Sequence, residues 1–188
     1  MSQKHKKTNL VWLDLEMTGL DPKTCVILEI GVIVTDSHLN LVAEGPFIAI
    51  HHSDKVLKSM EAWSRYHHKK SGLTDDCMAS KISLKKAETQ ILDFVKTYCD
   101  PKTAPLCGNT IWQDRRFLVK YMPRLEAYLH YRVIDVSSIK ELVGRWYPIG
   151  HKMPRLKHHA HRVTEDIRES IEELKYYRGK VFVPHLKK

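Results

Sequence analysis

The segment VWLDLEMTGLD, residues 11–21, carries the pattern that sets the fold, a buried strand interrupted by two acids. Apolar side chains dominate the segment, yet Asp14 and Glu16 lie two residues apart within it. Side chains alternate between the two faces of a strand, so both carboxylates point to one face of the sheet. Two neighbouring anions repel each other, and their burial costs free energy unless it is compensated. The segment therefore predicts a core strand whose acids need a source of positive charge.

The composition is that of an ordinary globular chain with a surplus of basic residues. The 188 residues are 43% hydrophobic and 28% charged, which suits one domain with a proper core. Lys and Arg outnumber Asp and Glu by 31 to 22, giving a formal net charge of +9. This surplus favours a polyanionic partner, although many basic proteins bind none. With no repeat or linker in the sequence, we expect a single domain over residues 1–188, with a C-terminal tail from about residue 179.

Cysteine usage and hydropathy indicate where the protein works. The four cysteines show no CxxC spacing, which favours free thiols in a reducing compartment. The apolar stretch before Asp14 is too short for the core of a signal peptide. No uncharged apolar run approaches the roughly 18 residues of a membrane span. We therefore expect a cytoplasmic protein without membrane contact.

Three apolar runs open the chain, at residues 10–17, 25–36 and 41–50. The short links between them are rich in turn residues, which predicts sequential antiparallel pairing. Shorter strands are predicted at 104–109 and 132–136. Helices are predicted at 55–68, after Ser83, at 114–122, for a turn or two after Pro123, at 138–146 and at 165–177. The order predicts an α/β fold: a mixed sheet, with a three-stranded antiparallel meander plus parallel strands, flanked by helices.

Two later segments place further acids at the ends of predicted elements. Asp114 follows a strand that ends at Asn109 and lies near a helix start, where N-capping is an alternative role. His161 and Asp166 are five residues apart, about 140° of rotation on an ideal helix, so they do not share a helix face. We place Asp166 in the first turn of the last helix and His161 on the loop before it. The alternative is a solvated helix start with a surface histidine.

Four acids from three separated segments suggest a metal centre; they are Asp14, Glu16, Asp114 and Asp166. Mg²⁺ and Mn²⁺ prefer oxygen ligands. Two such ions roughly 3.5–4 Å apart can hold the attacking hydroxide and the leaving oxygen of a phosphodiester in line. A histidine that exchanges a proton near neutral pH can take the proton from the water. The set predicts metal-assisted phosphodiester hydrolysis.

The same residues form a pattern that resembles a known family. Asp14-x-Glu16, then Asn109 to Asp114, then His161-x4-Asp166 resembles the three motifs of the DEDDh 3′–5′ exonucleases, which have a ribonuclease-H-like fold. The stretches LDLEMTGLDP, GNTIWQDRRFL and HRVTEDIRESIEELKYYR are similar to the oligoribonuclease family, and the similarity spans roughly residues 8–178.

This resemblance implies a specific activity. The four acids would hold two Mg²⁺ or Mn²⁺ ions, and His161 would be the general base. Family members of this kind degrade very short RNA, down to dinucleotides, to 5′-mononucleotides and act as homodimers. A short single-stranded RNA substrate and a second copy of the chain are therefore the implied partners.

The resemblance also implies contacts to the bases. Leu20 matches an apolar wedge that separates the two bases of the substrate. Trp63 matches an aromatic side chain that stacks on one base, which contributes roughly 1–3 kcal/mol without requiring a sequence. On the residues alone, Trp63 is equally well explained as part of the core.

A second group of implied contacts lies at the far end of the dinucleotide. Tyr131, Arg132 and Ser137 match residues that cap this end, partly from the other subunit. Arg132 would bind a phosphate through charge-assisted hydrogen bonds. Thr110 occupies a position where the family often has a serine. On the residues alone, Tyr131 and Arg132 only open a strand.

One departure from the family pattern bears on the metal ligands. The chain has Val163-Thr164-Glu165-Asp166 where the family usually has Ala-Leu-Asp-Asp. Adjacent helix positions differ by about 100°, so only one of Glu165 and Asp166 can face the metals, and the spacing from His161 selects Asp166. The pair His67-His68 is interpreted as a surface feature at a helix end.

Two other hypotheses remain open. A related exonuclease would act on longer RNA or DNA 3′ ends through an extended basic groove, and its binding would weaken steeply with salt. A binding module that has lost catalysis is the third hypothesis. The presence of all four acids and the histidine argues against it.

Overall fold

The computed structural model describes residues 6–148 and 162–182, and within them it contains one five-stranded sheet. The strands are β1 Leu10–Met17, β2 Ile27–Thr35, β3 Leu41–Ala49, β4 Leu106–Gly108 and β5 Val133–Asp135. Their spatial order is β3-β2-β1-β4-β5. The first three strands pair antiparallel in sequence, whereas β4 runs parallel to β1 and β5 runs parallel to β4. The predicted mixed sheet with an antiparallel meander is confirmed.

Eight helices surround the sheet in the described part of the chain. They are α1 Asp54–Lys58, α2 Ala62–Lys70, α3 Leu73–Ala79, α4 Leu84–Tyr98, α5 Ile111–Tyr121, α6 Pro123–Tyr128, α7 Val136–Trp146 and α8 Val163–Lys180. None of these helices is both long enough and apolar enough to cross a bilayer.

The prediction of one continuous helix over 55–68 is wrong, because the chain breaks between α1 and α2. The N–H of Glu61 donates to the carbonyl of Thr18 at 2.9 Å instead of continuing the helix. The guanidinium of Arg65 donates to the carbonyls of Lys58 and Met60 at 3.0 and 2.8 Å, which satisfies the end of α1. Helix α3 was not predicted. It follows Gly72, whose φ of 80° lies in the left-handed region that favours glycine.

Two helices begin earlier than predicted. Helix α5 starts at Ile111 with Thr110 as its N-cap, so Asp114 lies in its first turn and the N-cap interpretation is wrong. Helix α8 starts at Val163 and continues to Lys180, beyond the predicted end at 177. The predicted tail from about residue 179 therefore begins inside this helix.

The central strand β1 is buried on both faces. Val11, Leu13 and Leu15 belong to a core that also includes side chains of α4 and α5. Trp12 is fully buried on the opposite face in a second core with Ile167 of α8. Asp14 and Glu16 follow Trp12 on this second face, near the carboxyl end of β1. Because β1 and β4 are parallel, segments that follow both strands reach the same edge of the sheet.

All four cysteines are free and buried. Burial raises the pKa of the Cys77 and Cys99 thiols to about 12, so both groups are neutral thiols at physiological pH.

Candidate active site

Three carboxyl groups converge where β1 meets the first turn of α8. Oxygen atoms of Asp14, Glu16 and Asp166 lie within 4.8 Å of one another. Strand alternation places the first two on the face that α8 covers, and the early start of α8 places Asp166 opposite them. The separation between these oxygens is short enough for the three groups to share one cation.

The fourth predicted acid reaches the same place from α5. Asp114 is buried, and its Oδ1 accepts a hydrogen bond from the N–H of Leu15 at 3.0 Å. Leu15 lies between Asp14 and Glu16 in the sequence, so this bond holds Asp114 beside the other acids. The structure thus brings together the four acids that the sequence singled out. Their role as metal ligands stays a prediction.

Burial and mutual repulsion shift the acidity of this cluster. The pKa of Asp14 is raised well above its ordinary value by burial and then by the charges of Asp114 and Glu16. Burial and the charge of Asp166 raise the pKa of Glu16 to about 8. Burial raises the pKa of Asp114 to about 8, and burial together with Glu169 raises that of Asp166 to about 7. A bound divalent cation would offset this repulsion and favour the ionised carboxylates.

The donor set fits a hard divalent cation. All the groups that converge are carboxylate oxygens, which Mg²⁺ and Mn²⁺ prefer over softer ligands. Among the described residues, no other group of three or more His, Cys, Asp and Glu side chains has this spacing. The predicted general base, His161, lies outside the described residues.

An ion-pair network holds the start of α8 against the sheet. Glu29, buried on β2 opposite Glu16, accepts hydrogen bonds from Arg162 Nη2 at 2.7 Å and Nε at 3.2 Å, and from the N–H of Val163 at 3.3 Å. Nη1 of Arg162 lies 2.9 Å from Oδ2 of Asp76 on α3. The network fixes the first turn of α8, and with it the position of Asp166. The sequence analysis did not identify Arg162 as a residue of the site, although its position next to His161 indicated that it lies close to the acids.

His68 is a buried neighbour of Glu16, so its interpretation as a surface residue is wrong. It is 1% exposed, and its Nε2 lies 2.9 Å from the carbonyl oxygen of Met17. Its Nδ1 lies 3.7 Å from Oε2 of Glu16. Burial lowers the pKa of His68, which favours the neutral ring. The sequence did not distinguish His68 from the adjacent His67.

The predicted wedge residue sits on a loop that is tied to α5. Leu20 is 65% exposed, so its side chain is accessible to a ligand. Its carbonyl accepts a hydrogen bond from Nε2 of Gln113 at 2.5 Å. Gln113 is buried and precedes Asp114 in the sequence. The same turn of α5 therefore binds the loop that carries Leu20 and provides the acid Asp114. Sequence reasoning missed Gln113.

Trp63 is 59% exposed on α2, so the core interpretation of this residue is wrong. Its ring packs against the imidazole of His67, with 4.2 Å between the ring centroids. The preceding bond from Glu61 to Thr18 places α2 against the loop that follows β1. Gly19 permits this close approach, because a Cβ at that position would collide with the carboxylate of Glu61.

The four residues predicted for the far end of the substrate form two groups. The hydroxyl oxygens of Thr110 and Ser137 lie 3.2 Å apart, between the starts of α5 and α7. Tyr131 and Arg132 form a separate pair before β5, with the guanidinium carbon 5.2 Å from the ring centroid. Tyr131 is 71% exposed.

Comparison with known proteins gives one family and many close relatives. The model of the RNase_T exonuclease family matches residues 11–174. The oligoribonuclease of Dichelobacter nodosus is 51% identical over 178 residues, which covers 95% of this chain and 97% of that protein. The oligoribonuclease of Acinetobacter baylyi is 51% identical over 177 residues, which covers 94% of this chain and 96% of that protein.

Solved structures share the fold at low identity. Exonuclease I in its apo form has a TM-score of 0.70 and 16% identity, covering 93% of this chain and 42% of that one. E. coli Exonuclease I in complex with a dT13 oligonucleotide has a TM-score of 0.72 and 14% identity, covering 92% and 41%. The chain therefore spans about two fifths of Exonuclease I, and this likeness concerns the fold alone.

Proposed function

The chain belongs to the RNase_T exonuclease family, and on that premise we propose that it is an oligoribonuclease. It is a 3′–5′ exoribonuclease that hydrolyses dinucleotides and other very short RNA to 5′-mononucleotides. The observation that carries this proposal is the convergence of Asp14, Glu16 and Asp166 within 4.8 Å, with Asp114 bonded beside them. Identity of 51% to an oligoribonuclease over 95% of the chain supports the substrate class.

The proposed mechanism assigns roles to five residues. Asp14, Glu16, Asp114 and Asp166 would hold two divalent ions, Mg²⁺ or Mn²⁺, and bound ions of this kind would supply Lewis-acid chemistry for phosphodiester hydrolysis. His161 takes the proton from the attacking water. The burial of Glu16 and Asp114 supports this assignment, because electrostatic interactions are stronger where water is excluded.

The bases of the substrate are held by two exposed apolar side chains. Leu20 separates the two bases, and Trp63 stacks on one of them. The exposure of both side chains supports these roles, since neither contributes to a core. Arg132, Tyr131, Thr110 and Ser137 contact the far end, where the guanidinium of Arg132 donates hydrogen bonds to a phosphate.

Replacing Trp63 by Ala is expected to raise KM for dinucleotides about tenfold, with kcat within about twofold of wild type. The reason is that base–aromatic stacking contributes roughly 1–3 kcal/mol and is equal in ground and transition states. Steady-state kinetics on a dinucleotide measure this change. Tyr66→Ala is the matched control, because Tyr66 is 65% exposed on the same helix. Unchanged kinetics in Trp63→Ala would remove this residue from the substrate site.

The second copy of the chain is proposed to bind at the β5 edge of the sheet. An edge strand presents unpaired backbone groups, and large exposed apolar side chains mark interfaces. Tyr131 and Val133 are 71% and 37% exposed at this edge, and Trp146 on the adjoining α7 is 70% exposed. These observations support a homodimer.

The four free thiols support a cytoplasmic location.

The proposed substrate range is tested with labelled RNAs of two, five and twenty nucleotides. We expect rapid cleavage of the dinucleotide with Mg²⁺ or Mn²⁺, slower cleavage as length increases, and none with chelator. Equal rates at all three lengths, with binding that weakens steeply with salt, would instead indicate an exonuclease for longer substrates. No cleavage at any length would indicate a binding module.

A further inference from the structure

Three side chains of α5 bind the loop between β1 and β2, residues 18–26, which we call the wedge loop because it carries Leu20. Each side chain donates a hydrogen bond to a backbone carbonyl of this loop. The pairs are Gln113 with Leu20 at 2.5 Å, Lys120 with Pro22 at 2.6 Å and Tyr121 with Cys25 at 2.6 Å. The donors are seven and eight residues apart, so they lie on one face of the helix. The helix that carries Asp114 therefore also holds the wedge loop.

The bond from Gln113 is the one that holds Leu20 itself. The parts of the wedge loop on either side of Leu20 are bonded within the loop. The N–H of Thr18 donates across the base of the loop at 3.0 Å, and the N–H of Cys25 donates to the carbonyl of Asp21 at 2.8 Å. The carbonyl of Leu20 instead accepts from Gln113. This bond fixes the backbone from which the exposed leucine side chain projects.

Arg116 sets the orientation of the Gln113 amide. A guanidinium carries only N–H donors, so the amide atom that faces Nη1 of Arg116 at 2.6 Å is the oxygen. The amide NH₂ is then left to face the carbonyl of Leu20, which can only accept. The guanidinium carbon of Arg116 lies 5.8 Å from the ring centroid of Trp112, a cation–π contact that restrains the arginine. Both ends of the buried amide are thus matched, and its direction is fixed.

We propose that Gln113 is a positioning residue that holds Leu20 in place as a wedge and so confers a preference for substrates with a base on each side of it. The inference rests on the proposed function, since it concerns the proposed wedge. A wedge that is already held binds better than one on a loose loop, because ordering a loop on binding costs free energy. Stability alone does not account for the arrangement, since burial of an amide costs free energy that its hydrogen bonds only roughly offset.

The test compares ApA with an analogue whose 5′ nucleotide carries hydrogen in place of its base. Gln113→Met keeps the length of the side chain but has no donor. It is expected to raise KM for ApA about tenfold and KM for the analogue less than about twofold, so that the preference for ApA is lost. The kcat and the dependence of the rate on Mg²⁺ should stay within about twofold of wild type, because Asp114 keeps its bond to Leu15.

Two further variants on α5 separate the wedge from the rest of the loop. Lys120→Met is the matched control, since it removes a bond to Pro22, beyond the wedge. Its KM for both dinucleotides should stay within about twofold of wild type. Arg116→Met leaves Gln113 in place but frees its amide to rotate, so KM for ApA should rise about threefold. Because Arg116 is exposed, this variant tests the inference without disturbing the core.

A Leu20→Ala background tests whether Gln113 acts through the wedge. In this background we expect Gln113→Met to change KM for ApA by less than about twofold. An undiminished effect of Gln113→Met in Leu20→Ala would overturn the inference. Equal losses on ApA and the analogue, together with a lower Tm, would overturn it in favour of a role in folding alone.

The wild-type chain separates this inference from the proposed function. If it cleaves neither dinucleotide with Mg²⁺ or Mn²⁺, the proposed function is wrong. If it cleaves both without preferring ApA, or if Gln113→Met keeps the preference, only the role of Gln113 is overturned.

Discussion

Replacing Asp14 by Asn is expected to lower kcat/KM for dinucleotide hydrolysis by about 10³-fold or more. Asp14 lies in the centre of the acid cluster, close to Glu16, Asp114 and Asp166. Loss of its charge weakens the binding of divalent cations that stabilise the transition state by several kcal/mol, and each 1.36 kcal/mol corresponds to about tenfold in rate. Kinetics over a range of Mg²⁺ concentrations measure the loss. Turnover near that of the wild type would contradict the assignment of Asp14.

The same variant should keep its fold. Burial and neighbouring charges raise the pKa of Asp14, so its ionised form is unfavourable in the folded chain. In chelator, Asp14→Asn should therefore have a Tm equal to or higher than that of wild type. Addition of Mg²⁺ should raise the Tm of wild type but not that of the variant. Asp93→Asn is the matched control, because Asp93 is an exposed acid on α4 with only a weak contact to Lys96. It should leave both activity and Tm unchanged.

The meander and the alternation on β1 were predictable because they depend on local patterns. Two-residue periodicity places Trp12, Asp14 and Glu16 on one face, and the structure buries Trp12 there against α8. The short links between the apolar runs fix the antiparallel order. The convergence of Asp114 and Asp166 on β1 depends on contacts between segments far apart in the sequence. The resemblance to the three exonuclease motifs predicted this convergence, whereas the periodicity of the strands and helices did not.

The positioning groups were not predictable, because each works through backbone atoms far away in the sequence. His68 contacts the carbonyl of Met17, and Gln113 donates to the carbonyl of Leu20. Asp135 lies within the strand predicted at 132–136, yet in the structure it caps α7 and also accepts the N–H of Thr110. A side-chain pattern does not show which distant carbonyl or N–H a polar group will face. The break before α2 arises in the same way, from the bond between Glu61 and Thr18.

In chelator, the chain is expected to lose stability as pH rises from 6.5 to 8. Glu16 and Asp114 have pKa values raised to about 8, and that of Asp166 is raised to about 7. The folded state therefore binds more protons than the unfolded chain, in which acids ionise near pH 4. Stability falls with pH wherever the folded state holds more protons, so the loss is complete only above about pH 8. Below about pH 6.5, His68 acts in the opposite direction, because burial lowers its pKa.

Thermal unfolding at pH 6.5, 7, 7.5 and 8 measures this loss, and we expect Tm to fall by roughly 4 °C or more across the range. Mg²⁺ or Mn²⁺ should flatten the curve, since a cation that binds the ionised carboxylates stabilises only the folded state. Asp14→Asn should also reduce the slope in chelator, because it removes a charge that repels the other three acids. If Tm fell equally with pH for wild type in chelator, wild type with cation and Asp14→Asn in chelator, the proposed link between the acid cluster and stability would be contradicted. Since the acids are costly to ionise together, the repulsion that destabilises the chain in chelator is the same force that favours cation binding.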